Sequence, residues 1–123
     1  MNKKYFFDTY ALIEIYKGNP NYEKYRDGIN LILNKLNLME YSYFLMRVGR
    51  KNEIENFFLN LSRFCVDYDD EILKSAVEMK FKYKKDKLSF VDCIGYFLAK
   101  KHGCKFLTGD EKFKDLKNVE FVK

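Results

Sequence analysis

Four carboxylates in this chain stand beside or inside apolar segments, where an ionised side chain is costly to bury: Asp8, Glu40, Asp92 and Asp110. Asp8 closes the run Tyr5-Phe6-Phe7, and Asp110 follows Lys105-Phe106-Leu107-Thr108-Gly109. Glu40 is the only charged residue between Lys35 and Arg47, and Asp92 the only one between Lys87 and Lys100. If the fold gathers all four, their mutual repulsion calls for a divalent ion, and hard oxygen donors suit Mg²⁺ or Mn²⁺. Such a centre performs metal-assisted phosphodiester hydrolysis.

Each acid also has a purely structural role open to it. Asp8 can cap a helix starting near Thr9, Asp92 lies three residues after Ser89 as in a capping box, and Asp110 can make a turn after Gly109. Glu40, in mid-helix among apolar residues, has no such local role, although a buried pair with a lysine would satisfy it.

Positioning these residues requires alternating strands and helices. Residues 4–7 read as a buried strand, Thr9 to Lys17 as a helix stopped by Gly18, and 19–28 as a loop or short helix. Ile29 to Leu33 fits a second strand or the continuation of a helix. Asn34 caps a helix from about Lys35 to Val48 that is apolar nearly all round, which predicts a central position or packing against another subunit. A helix at about 52–61, a short strand at 64–66 and a helix from Asp69 or Asp70 to about Tyr83 follow. Ser89 and Gly103 bracket the next helix, then come a strand at 105–108, a helical turn at 111–116 and a last strand at 119–122. This alternation predicts an α/β domain with a central, mostly parallel sheet, and sites in such sheets form at the carboxyl ends of strands.

The bulk properties narrow the chemistry. At 123 residues the chain predicts one domain, 1–123. Its longest apolar stretches, around 41–46 and 88–99, fall short of the ~18 residues of a membrane span. The N-terminal residues show no signal-peptide pattern, so a cytoplasmic protein without membrane contact is expected. Cys65, Cys93 and Cys104, odd in number and widely spaced, read as small hydrophobes in a reducing compartment. The single histidine, His102, argues against a His-based zinc site or a Ser-His pair and suits a helix end. A net charge of +5 around an acidic centre favours a polyanionic partner. Lys80, Lys82, Lys84, Lys85 and Lys87 are candidate phosphate contacts, or else a solvated helix end favoured by the helix dipole.

The order of the acids is more specific than any one of them. With Phe7-Asp8-Thr9 and Ala11-Leu12-Ile13, then Glu40, then Phe90-Val91-Asp92 and Ala99, and finally Leu107-Thr108-Gly109-Asp110 and Phe113, the chain resembles the PIN-domain ribonucleases, in particular the small VapC-like toxins. The resemblance spans essentially the whole chain and is most specific in the C-terminal third. It implies a three-layer α/β/α PIN-like fold and metal-dependent cleavage of RNA. It also implies one or two Mg²⁺ or Mn²⁺ ions on Asp8, Glu40, Asp92 and Asp110, with Thr108 orienting a ligand or water. A cognate antitoxin and a homodimer are implied as partners. A non-catalytic PIN-like RNA- or protein-binding module, a housekeeping RNA-processing enzyme and a DNA-directed nuclease are the competing readings. Two departures stand out: Tyr10 occupies a place where the family commonly carries Asn or Ser, and no glycine follows Glu40 closely.

Overall fold

A computed structural model describes residues 3–123. The alternation of aromatic side chains along the first strand sets the architecture. Strand β1 (Lys3–Phe7) sends Phe6 to one face of the sheet and Tyr5 and Phe7 to the other, as the two-residue repeat of a strand demands. Strand β3 (Lys105–Thr108) does the same with Phe106 and Leu107. Both strands are buried on both faces, which is the condition of a central parallel strand.

Two helical layers cover those faces. Phe6 and Phe106 pack among Ile72, Ala76 and Met79 of α4 (Asp70–Lys82) and Cys93, Ile94 and Leu98 of α5 (Phe90–Lys101). Tyr5, Phe7 and Leu107 pack among Ala11 and Leu12 of α1 (Thr9–Tyr16) and Leu38, Tyr41 and Leu45 of α2 (Lys35–Arg47). Helix α3 (Ile54–Leu61) closes the second layer, its Phe57 ring stacked on Tyr41 at 4.0 Å between centroids. Among the described residues no helix is long and apolar enough to cross a membrane.

The sheet has four parallel strands in the order β2-β1-β3-β4, with β2 at Ile29–Ile32 and β4 at Val119–Phe121. The chain therefore runs outward from β1 to β2 on one side and returns to β3 on the other. The carboxyl ends of β1 and β3 flank this reversal, the place where open α/β sheets form their crevice. The Asp8 N–H donates to the Leu107 carbonyl at 3.3 Å, so the pairing persists to the first acid.

The structure resolves the ambiguity at Ile29–Leu33 in favour of a strand and shortens the segment expected at 64–66. There, Ser62–Phe64 forms a 3-10 turn and only a single parallel bridge joins Leu33 to Cys65. The Ser62 hydroxyl donates to the Phe58 carbonyl at 2.6 Å, prolonging the helix end and leaving too few extended residues for a strand. The apolar helix α2 is also less unpartnered than its composition implies. Tyr41 and Leu45 are buried within this chain, whereas Met39, Tyr43 and Met46 are exposed. Cys93 and Cys104 are buried, Cys65 is half-buried and all three are unpaired, as expected. His102 sits at the C-cap of α5 just before Gly103, whose φ of 66° ends the helix.

Gly95 fixes the spacing between α5 and the sheet. A Cβ there would lie 2.7 Å from a ring carbon of Phe6, which is fully buried and has no room to move. We expect Gly95→Ala to lower stability by about 1–2 kcal/mol: overpacking outweighs the ~1 kcal/mol gained in helix propensity. Urea denaturation midpoints measure this, and a stabilised variant would contradict the close approach.

Candidate active site

The same local rules that cap the helices place the carboxylates. Asp8 follows β1 in extended conformation and caps α1, accepting from the Ala11 N–H at 2.8 Å. Asp110 follows β3 and accepts from the Lys112 N–H at 3.0 Å. Ser89 caps α5 by accepting from the Asp92 N–H at 3.0 Å, which sets Asp92 in the first turn of that helix. Capping and site formation are thus one arrangement, because a cap stands at the helix N-terminus and these helices begin at the carboxyl ends of the strands or point towards them.

The acids influence one another through a poorly solvated medium. Asp8 is only 2% exposed. Burial raises its pKa well above the usual carboxylate range, and the charges of Asp92 and Asp110 raise it further; the Thr108 hydroxyl and the Ala11 N–H oppose the shift by hydrogen bonding. Asp92, half-buried, is pushed up to about 6, first by burial and then by Glu40 and Asp110, against the hydrogen bond from Ser89 and the charge of Lys112. The charges of Asp92 and Asp110 thus act on Asp8, and those of Glu40 and Asp110 on Asp92. Neither Asp8 nor Asp92 makes a salt bridge among the described residues.

Thr108 ties two of the acids together. Its hydroxyl oxygen accepts from the Asp110 N–H at 3.1 Å and is hydrogen-bonded to the Asp8 carboxylate. Gly109 is also a requirement of the site: a Cβ would collide with the Tyr10 ring and the Val122 carbonyl. Tyr10, at the place of a small polar residue, thus packs against the Thr-Gly-Asp turn.

Glu40 is held by Thr9, the residue that follows Asp8 at the carboxyl end of β1. The Thr9 hydroxyl donates to its carboxylate at 2.6 Å, and the Asn37 amide donates to the Thr9 hydroxyl oxygen at 3.2 Å. Asn37 is itself fully buried, its carbonyl oxygen accepting from the Asn34 N–H at 3.0 Å to close the capping box of α2. No lysine neutralises Glu40 among the described salt bridges, so the alternative of a buried pair is not realised. Sequence reasoning missed Thr9 and Asn37 as positioning residues. The signal available was the spacing Asn34–Asn37, which is that of a capping box.

The basic run divides. The Lys80 ammonium donates to the Leu88 carbonyl, beside the entry to α5, and Lys84 lies over the Phe81 ring at 4.6 Å. Lys82 turns the other way, over Tyr83, into a cavity shared with Glu78 and Lys100. Lys85 and Lys87 are exposed beyond the helix, Lys87 with φ of 56°. Lys112, which the sequence did not single out, donates to the Lys87 carbonyl at 3.3 Å and acts electrostatically on Asp92.

The sequence matches the PIN-domain family over residues 5–119, an interval that contains all four acids. The chain belongs to the PIN-domain family. That family consists of nucleases that generally depend on divalent metal ions. No curated protein matches the chain. Similar solved structures include a toxin–antitoxin complex from Klebsiella pneumoniae (19% identity, 94% of each chain, TM-score 0.74). PAE2754 from Pyrobaculum aerophilum aligns at 20% identity over 98% of this PIN-domain chain and 92% of its own, with TM-score 0.66. VapBC2 from Rickettsia felis, bound to a DNA fragment from its promoter, aligns at 16% identity over 98% and 99%, with TM-score 0.70. At these identities the likeness is one of fold.

The donor chemistry fits a hard divalent ion: carboxylate oxygens only, partly or wholly desolvated and without basic partners. Among the described residues no three Asp, Glu, His or Cys side chains close into a ready-made ion shell. Asp8, Glu40, Asp92 and Asp110 are the carboxylates that would be available to a divalent ion.

Two predictions follow from this electrostatics. A carboxylate whose folded-state pKa is raised binds its proton more tightly folded than unfolded. Its contribution to the metal-free protein is therefore present near pH 4 and is lost as pH rises through about 6. For Asp92 the loss is about 2 kcal/mol once solvent access to the half-buried group is allowed for. Melting temperature in EDTA should fall between about pH 4 and 6, and millimolar Mn²⁺ should restore it at pH 7 more than at pH 5, where protons compete. A metal-free melting temperature that rises across this interval would contradict the assignment.

Thr9→Val removes the donor to Glu40 at nearly constant volume. We expect a stability loss of about 1 kcal/mol and about tenfold weaker Mn²⁺ binding, as for other residues that orient ligands. Calorimetric titration measures the affinity, and an unchanged dissociation constant would remove Glu40 from the ion site.

Proposed function

We propose that the chain is a Mg²⁺- or Mn²⁺-dependent endoribonuclease, the toxin of a toxin–antitoxin pair, with residues 1–123 forming one nuclease unit. The observation that carries this reading is the pair Asp8 and Asp92: desolvated carboxylates without a basic partner, mutually repelling, at the carboxyl end of a parallel sheet. A stable protein has little reason to retain them unless a cation or a cation-bound phosphate joins them. Membership of the PIN-domain family supports hydrolysis of a nucleic acid, and the fold likeness to a toxin–antitoxin complex supports the toxin role.

A bound divalent ion supplies a water of lowered pKa and charge neutralisation at the scissile phosphate. The protein's own residues do the rest. Asp8, Glu40, Asp92 and Asp110 fix the donor set. Thr108 holds Asp8 against the Asp110 backbone, and Asn37 and Thr9 aim Glu40. No side-chain nucleophile is required. Lys112 and the lysines beside α5 offset the phosphodiester charge that the acidic centre would otherwise repel.

An antitoxin and a second copy of the chain are the proposed protein partners. The exposed Met39, Tyr43 and Met46 on α2 support a partner surface there. A cytoplasmic location accords with three unpaired cysteines and an RNA substrate.

The deciding experiment is Mn²⁺-dependent cleavage of RNA and DNA by the purified chain, with Asp92→Asn and Asp110→Asn beside it. Both variants should lose cleavage by at least ~10²-fold while keeping the fold, and Asp92→Asn should melt higher than wild type in EDTA at pH 7, because one repulsive charge is gone. A mere capping role gives the opposite pair of results: near-normal cleavage and a loss of up to ~1 kcal/mol. Full cleavage by Asp92→Asn, with a mock preparation excluding contaminating ribonuclease, would falsify the mechanism.

A further inference from the structure

Tyr10 stands beside the carboxylate centre yet takes no part in its hydrogen bonds. It is the second residue of α1, two positions after Asp8. Among the described residues the four acids take their hydrogen bonds from Thr9, Ala11, Ser89, Thr108 and Lys112, and none from the Tyr10 hydroxyl. The ring is half-buried nonetheless, and what it lies against is Gly109, the residue between Thr108 and Asp110.

Gly109 is confined on two sides. A Cβ there would stand 2.6 Å from the Tyr10 Cζ, and closer still to the Val122 carbonyl oxygen. The Val122 side has little freedom to yield. Its N–H donates to the Thr108 carbonyl at 2.9 Å, and its carbonyl accepts from the hydroxyl of Tyr22, a fully buried residue. The next carbonyl, that of Lys123, accepts from the Asn21 amide at 2.8 Å. The Gly109 peptide groups have no backbone partner of their own among the described residues. Shape therefore holds this turn, with fixed backbone on one side and an aromatic ring on the other.

We propose that Tyr10 is a positioning residue for Asp110: its ring, pressed on Gly109, sets the turn that fixes this carboxylate relative to Asp8. The inference rests on the reading that the acids hold a divalent ion, and deepens it by naming a residue on which the ion depends without touching it. The consequence reaches two donors at once. The Thr108 hydroxyl oxygen accepts from the Asp110 N–H and is hydrogen-bonded to the Asp8 carboxylate, so a turn that slides changes both. A small side chain at position 10 would leave a gap against Gly109, and the turn would gain the freedom that the ring denies it. Removal of the hydroxyl alone leaves the contact intact, because it is the ring carbons that meet Gly109.

The test is calorimetric titration of the full chain with MnCl₂ at pH 7, with melting temperature in EDTA measured beside it. Tyr10→Phe should bind Mn²⁺ within about twofold of wild type, and Tyr10→Ser about tenfold more weakly, as for other residues that orient metal ligands. A Tyr10→Phe variant as weak as Tyr10→Ser would assign the effect to the hydroxyl and overturn the proposal. Unchanged Mn²⁺ affinity in Tyr10→Ser would also overturn it, even with a lowered melting temperature, since that is packing without positioning. Should Tyr10→Ser fail to fold, Tyr10→Leu replaces it, keeping bulk without a planar ring. Its affinity should fall severalfold, and wild-type affinity would overturn the proposal equally. Asp92→Asn titrated in parallel tells the two readings apart. Weakened binding by Asp92→Asn with undiminished binding by Tyr10→Ser removes only the positioning role; a wild-type chain that takes up no Mn²⁺ removes both.

Discussion

The parallel pairing of β1 with β3 is the constraint on which the rest depends. Tyr5, Phe6 and Phe7 pair with Lys105, Phe106 and Leu107, so two strands nearly a hundred residues apart in sequence end at the same level. That register brings the residues following each strand, Asp8 and Thr108-Gly109-Asp110, to one edge of the sheet. The register is enforced from both faces. A slip of one residue would exchange Phe6 with Phe7 and Phe106 with Leu107 between the two cores, and both helical layers would lose their fit. The aromatic core is thus what holds the acids together against their repulsion.

Helix capping and the proposed catalytic architecture are compatible explanations in this molecule. Asp8, Ser89 and Asp110 each satisfy backbone N–H groups, and the same contacts fix the positions of Asp8, Asp92 and Asp110. The two uses draw on one physical fact: a helix N-terminus presents donors and positive potential, which suits an anionic cap and also lowers the cost of an acid kept nearby. Thr108 extends this economy, since one hydroxyl serves the Asp110 backbone and the Asp8 carboxylate.

The parts of the fold legible in the sequence are those whose cause is local. The strand Lys105–Thr108 and the helix between Ser89 and Gly103 appear where their caps and apolar runs place them. The proposed four-acid centre is legible in the sequence only through the order of its acids along the chain. The rest depended on distant contacts. Ile29–Ile32 is a strand because β1 pairs with it, which a short apolar run does not reveal. Helix α2 looked unpartnered because the Phe57 ring that covers Tyr41 belongs to another helix. The lysines formed a single block in sequence, but helical geometry sends Lys80 and Lys84 to one side and Lys82 to the other. Asn37 stands in the sequence as one polar residue within an apolar helix, and only the approach of Thr9 from α1 shows what it orients.

The electrostatic layout follows from the cost of the centre. Desolvated carboxylates in a metal-free state oppose folding, and the raised pKa of Asp92 is a direct expression of that cost. The molecule does not relieve it with fixed salt bridges, which would neutralise the donors; its described salt bridges lie elsewhere, at exposed pairs such as Lys101–Asp69 and Lys123–Glu111. Cationic groups stop short instead, with Lys112 on the Lys87 carbonyl and Lys80 on the Leu88 carbonyl. An arrangement of this kind keeps acids available for a cation and ammonium groups available for a phosphate. On the proposed reading both sets of charges are fully compensated only when a divalent ion and a polyanion are present together, which would couple stability and function through the same four side chains.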